Sequence, residues 1–199
     1  MPPYPLQASA VPSDPIFQRQ NGFLIALHWT TAVLVLIVFI LGPGGSELRV
    51  YSAARDFERS WHEVLGLTIL VLTLVRVAWR LKLGKMLSEK SPAPWMDKLA
   101  RFVRFSLYLL LVITPLTAVL GAWLEGHPLT LGMLGEIPPL IPEDHPAGAR
   151  LADLHGYLGD AVIWLAGFHA AAALFHHFVL KDSVLVAMLP KVLSPPGRR

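Results

Sequence analysis

Four stretches of this chain are long and apolar enough to cross a bilayer, and nothing else in the sequence constrains the fold as strongly. Phe23–Leu41 has His28 as its one ionisable residue and ends at the breaker Gly42-Pro43-Gly44-Gly45. His62–Leu81 is weaker: its uncharged core, Val64–Val75, is too short alone to separate a span from a buried soluble helix. Phe105–Leu124 is uncharged and carries Pro115 mid-segment, where a membrane helix tolerates a kink. Ala161–Leu180 contains no Asp, Glu, Lys or Arg, and its helix is predicted to begin earlier, near Asp153. Hydrocarbon offers the backbone no water to bond, so each span must be a helix. The predicted class is all-α, an integral membrane four-helix bundle.

Composition agrees. The chain has 199 residues, of which 54% are hydrophobic and 16% charged, with a mean hydropathy of +0.52. It has no cysteine, which excludes a disulfide framework, a covalent c-type haem and a thiolate iron–sulfur centre. The sequence pI near 9.4 reports orientation rather than nucleic acid, for which the chain has no reading motif. Residues 1–20 form a proline-rich polar lead that lacks the basic start and cleavage site of a secretory signal. The remainder divides into a membrane domain, 21–190, and a basic tail, 191–199. Lead, second connection and tail together carry twelve Lys or Arg, against three in the first connection and one in the third. The positive-inside rule then predicts both termini in the cytoplasm and the other connections in the periplasm of a bacterial inner membrane.

Histidines mark the spans. Leu154–His177 holds four of the eight in the chain, beside four consecutive alanines, Ala170 to Ala173. His155 and His169 are fourteen residues apart, roughly 21 Å along a helix and nearly on one face. His62 and His155 begin the second and fourth spans from the same surface, so they share a depth. His28 lies near the opposite surface and requires a partner low in the fourth helix. His176 is slightly closer to that depth, whereas the alanines beside His169 leave room for a flat macrocycle.

Taken singly, a histidine in a span satisfies a carbonyl or a neighbouring helix as readily as it holds a metal. Histidines that pair by depth at two levels make a stronger case. Structural zinc needs four close ligands, usually with cysteine, so two separated pairs suit two bis-histidine irons better. Arg76 is fourteen residues beyond His62, on the same face. It reads either as a haem propionate partner or as an arginine snorkelling at a helix end, and His176 is a second propionate candidate. His127 and His145, in the third connection, read as solvent-exposed loop residues ahead of a proton relay or metal site. Trp29, Trp61, Trp123 and Trp164 include candidates for the interfacial belt.

The segment HAAAALFHHFVLKDSVLVAMLP, His169–Pro190, with LHGYLG around His155, WHEVLG around His62 and LHW at His28, resembles the bacterial cytochrome b561 family. The resemblance runs from Gln18 to Pro190 and is strongest with the superoxide oxidase-like branch. It implies a four-helix membrane protein with two haem b, ligated by His28 with His169 on the cytoplasmic side and by His62 with His155 on the periplasmic side. It also implies oxidation of superoxide to oxygen, with the electron passed to ubiquinone at a membrane-interface site that no residue here identifies. Two departures stand out. Arg101 and Arg104 occupy places where members often carry histidine, and Val186 and Ala187 stand near where arginine is common.

With both axial positions filled, such irons favour outer-sphere electron transfer. Superoxide is an anion, and Arg55, Arg59 and Arg150 near the periplasmic histidines are candidates to steer it. Against that, carboxylates match or outnumber arginines in both outer connections, and rim charges of this kind are usually just solvated. Three functions remain open: a superoxide:ubiquinone oxidoreductase, a haem b subunit carrying electrons from a dehydrogenase or hydrogenase to quinone, and a haemless structural protein.

Overall fold

The computed structural model describes residues 21–42, 50–83, 94–132, 135–182 and 184–190. The proline-rich lead, residues 84–93 of the second connection and the basic tail lie outside the described residues. Helix α1, Gly22–Leu41, starts where the Asn21 side chain accepts the Phe23 N–H at 2.9 Å. It ends at Gly42, whose N–H turns back to Phe39 O. A 3-10 turn, Ala53–Arg55, leads into α2, Asp56–Leu83. Acidic Asp56 and Glu58 in its first turn and basic Arg80 and Lys82 in its last complement the helix dipole. Helix α3 is Pro94–Leu124, with Pro115 inside, and α4 is His145–Phe175, capped by the Asp144 carboxylate on the Ala147 N–H.

Between α3 and α4 lies a two-residue hairpin: β1, Leu129–Thr130, runs antiparallel to β2, Glu136–Ile137. At the other end of the bundle, α4 widens into a π turn, His176–Leu180, and reverses at Lys181, whose φ is 54°. A short helix, α5, Val184–Met188, follows. All four long helices are apolar enough to cross a membrane, over Gly22–Leu41, Ala53–Leu83, Trp95–Leu124 and His145–Leu180. Large apolar side chains such as Leu36, Ile40, Trp164 and Phe168 point outward, as lipid contact requires.

Helix α1 lies along α2 and α3 along α4; the two pairs meet chiefly through α2 and α3, and α1 touches α4 lightly. The α3–α4 crossing is closest at two glycines. A Cβ on Gly148 would stand 2.6 Å from Glu125 Cγ and 3.2 Å from Gly121 O, and one on Gly121 would stand 3.3 Å from Leu151 Cβ. Small residues let helices approach in a membrane, where van der Waals contact replaces the hydrophobic drive.

The predicted spans match in number, but three helices begin earlier than their spans: α2 six residues before His62, α3 at Pro94 rather than Phe105, and α4 at His145 rather than near Asp153. Apolarity marks where hydrocarbon begins, and a capped helix continues past that level into polar surroundings.

Candidate functional site

Both histidine pairs meet. At the hairpin end of the bundle, the rings of His62 on α2 and His155 on α4 have centroids 5.8 Å apart and planes at 78°. At the α5 end, His28 on α1 and His169 on α4 are 6.3 Å apart at 88°. A metal–imidazole bond of about 2.0 Å, plus about 1.1 Å from nitrogen to ring centre, puts two trans imidazoles about 6 Å apart. The spacing of both pairs therefore fits one iron between each two rings. Among the described residues no three His, Asp or Glu side chains gather as a metal cluster, so zinc-type coordination has no ligand set here.

The hairpin-end pair is oriented by backbone. His62 Nδ1 donates to Val38 O at 2.9 Å, and His155 Nδ1 donates to Thr114 O at 2.9 Å. Val38 lies in the last turn of α1, where carbonyls have no intrahelical partner, so the imidazole satisfies an otherwise orphaned acceptor. A carbonyl only accepts, so both protons sit on Nδ1 and both Nε2 lone pairs are free for a metal.

The α5-end pair lies against a cation. Arg76 Nη1 lies 3.1 Å from His28 Nδ1 and its guanidinium 5.6 Å from the Tyr108 ring centre. Trp29, next to His28, donates from Nε1 to Met188 O at 2.8 Å and so ties α5 to α1. His176, one of the two histidines predicted for this depth, is not in the pair. Its Nδ1 is hydrogen-bonded to Asp182 Oδ2, and only Nε2 remains for another partner.

The three candidate steering arginines part company. Arg59 is 14% exposed and shared among Asp56, Glu63 and Thr130 Oγ1, each at 3.0 Å, with its guanidinium 5.1 Å over the Tyr51 ring. Glu63 also accepts the Thr130 N–H, so this network fastens the start of α2 to the hairpin. Arg55 pairs with Glu58 at 3.1 Å. Two of the three charges are thus answered by carboxylates. Arg150 is exposed and, among the described residues, has no ion-pair partner. His127 corrects its expectation: it is half-buried and stacked on Tyr51, centroids 3.4 Å apart and planes at 19°, because the hairpin loop folds back over the start of α2. His145 is exposed, 3.7 Å from Glu143. Tyr51, Glu63 and Asp182 were not singled out by the sequence, where nothing links them to partners on other segments or across a turn.

The family model for prokaryotic cytochrome b561 matches residues 19–191. A cytochrome b562 of Cereibacter sphaeroides is 35% identical over 171 residues, covering 83% of this chain and 91% of that protein. A probable superoxide oxidase CybB of Yersinia pestis is 30% identical over 182 residues, covering 87% and 97%. A cytochrome b561 homolog 2 of Escherichia coli is 28% identical over 180 residues, covering 90% and 96%.

Proposed function

We propose, from the premise that this chain belongs to the prokaryotic cytochrome b561 family, that it is a superoxide:ubiquinone oxidoreductase of the bacterial inner membrane holding two haem b. The family gives the coarser statement outright: a haem b electron-transfer protein embedded in lipid, with four helices that span the membrane. The single observation that carries the two-haem part of this reading is the meeting of two imidazole pairs, at two depths, each at a spacing that suits an iron between the rings. A relative named as a probable superoxide oxidase adds support for the donor.

Haem b held between two imidazoles would supply reversible one-electron transfer. His62 and His155 would hold one group and His28 and His169 the other. The charge distribution of the sequence puts the hairpin end in the periplasm and both termini in the cytoplasm. At the hairpin end, Val38 O and Thr114 O fix the ligand tautomers. At the α5 end, His28 cannot both accept from Arg76 at Nδ1 and offer a lone pair at Nε2 while neutral. With His28 as a haem ligand, Arg76 would be released from Nδ1 and could pair with a propionate. Among the described outer arginines, Arg150 is the one with no carboxylate partner and would be the one to attract an anion.

The second reading, a haem b subunit carrying electrons from a dehydrogenase or hydrogenase to quinone, is favoured by one observation: Arg55 and Arg59 are already neutralised. Stopped-flow mixing of oxidised protein with a superoxide source, with catalase present and with or without ubiquinone, separates the two. Rapid reduced b-type bands that drain into quinone are the expected result. Bands that superoxide leaves oxidised, but a quinol or partner reduces, would replace the oxidase with the carrier.

A further inference from the structure

The section of the bundle between the two histidine levels holds a single charged residue. Residues 29–37 of α1, 64–75 of α2 and 105–113 of α3 contain no Asp, Glu, Lys or Arg, and 156–168 of α4 contain Asp160 alone. Its depth follows from the outer pair. His155 meets His62, and His62 bonds Val38 O, three residues before α1 ends at Leu41. Asp160 is five residues further along α4, so it lies about 7 Å deeper than His155 and about 12 Å inside the end of α1. With a hydrocarbon core about 30 Å thick, that level is among acyl chains. Its direction is equally defined. Asp160 is turned about 140° from His155 and about 180° from His169, the two α4 residues that face the bundle interior. It is exposed, and it lies between Tyr157 and Trp164, which are 73% and 70% exposed. Among the described residues it makes no hydrogen bond and no ion pair. Ionisable residues within a span normally face the bundle interior or a water-filled cavity, or pair with one another. Asp160 faces lipid alone.

We propose that this face of α4 docks a transmembrane helix of a second polypeptide, one that carries an arginine or lysine at the depth of Asp160. A carboxyl group in hydrocarbon is costly unless a cation or hydrogen-bond donors answer it, and the bilayer core supplies no water to do so. A lipid headgroup stays at the surface and does not descend to this level. A second copy of this chain has no cation to bring, because every Lys and Arg among the described residues lies at or beyond a histidine level. The charge that complements Asp160 therefore belongs to a different chain. The surface around it suits a close helix. Gly156, one turn before Asp160, and Gly167, two turns after, each have open space where a Cβ would stand. Small residues let two membrane helices approach, and here they leave room for a long cationic side chain beside the carboxylate. Tyr157 and Trp164 supply flat apolar area on either side. The proposal is independent of which donor reduces the haems.

The test places haem-loaded full-length protein in phosphatidylcholine vesicles with a synthetic Leu/Ala helix of about 23 residues. The helix carries one central Arg, or Leu in its place, and a fluorophore at one end that haem quenches on approach. Wild-type protein is expected to bind the Arg helix about threefold or more tightly than the Leu helix. D160E should keep that preference. D160L and D160N should lose it with haem content unchanged, because Asp160 faces away from both histidine pairs. Equal quenching by the two helices, or a preference that survives in D160L, would overturn the proposal. Energy transfer between two labelled copies of the wild type that D160L abolishes would assign the face to a second copy, and would overturn it too. If D160L loses haem, D160N and D160E carry the same decision.

Discussion

The two ends of the bundle present the same pair of imidazoles in different settings. At the hairpin end, backbone carbonyls of Val38 and Thr114 set both rings, and the Arg59 network locks the neighbouring loop onto α2. At the α5 end, His28 is addressed by the guanidinium of a long side chain, Arg76, which also lies over the Tyr108 ring. A backbone acceptor has no other conformation to adopt, so it presents a ligand already in the required tautomer. An arginine can change partners, so it can hold a ligand in one state and neutralise an acidic group in another. One pair of rings is set by backbone acceptors, and the other lies against a cationic side chain.

The largest effect tests whether both ends are haem sites at all. His28→Ala combined with His62→Ala removes one ligand from each pair and is expected to abolish b-type absorbance at both levels, read from the Soret band of protein purified in detergent. Retained haem would break the ligand assignment for both ends.

Next comes the scaffold beneath the hairpin-end pair. Gly148→Ala places a methyl group against Glu125 and Gly121 O and should destabilise the α3–α4 crossing by about 1–3 kcal/mol. Thermal unfolding in detergent reads this as a lowered Tm. An unchanged Tm would show that the crossing relaxes freely and that the close approach is not structurally required.

A smaller effect sharpens the contrast in charge. Arg76→Gln takes a cation from the α5-end pair. Oxidised haem carries one more positive charge than reduced, so losing a nearby cation favours the oxidised form and lowers the potential. The expected drop is on the order of 1 kcal/mol, roughly 40 mV, at that haem alone. Redox titration in the visible band should show one component move and the other stay. A shift in both, or neither, would remove the distinction between the ends.

The smallest effect concerns steering. Arg150→Glu is expected to slow haem reduction by superoxide a few-fold at low salt, and less at high salt. Equal rates at both salt concentrations would remove Arg150 from the steering role.

Much of this was legible in the sequence because a membrane fixes depth. Four apolar stretches set the helix number, and the positions of His28, His62, His155 and His169 within them sorted the histidines into two levels, where they meet in pairs. The tie between His169 and His176 was less legible. Depth alone leaned slightly toward His176 and both lie on nearly one helix face; in the structure His169 meets His28, while His176 is engaged by Asp182 across a π turn that hydropathy does not encode. Helix starts were misplaced for the same reason: His145 to Asp153 is polar yet helical, started by the Asp144 cap and a proline in the first turn. Least visible were backbone partners. No residue type announces that Val38 O or Thr114 O will receive an imidazole. Nor does charge counting reveal that Arg59 is spent within the protein while Arg150 is not.

The central claim is two bis-histidine haems, one at each end. Haem per polypeptide, measured by pyridine haemochrome on wild type, His155→Ala and His169→Ala, tests it most directly. The account predicts two haems in the wild type and one in each variant, with the lost component differing in potential between the two. A single haem in the wild type, or either variant keeping the wild-type content, would contradict it.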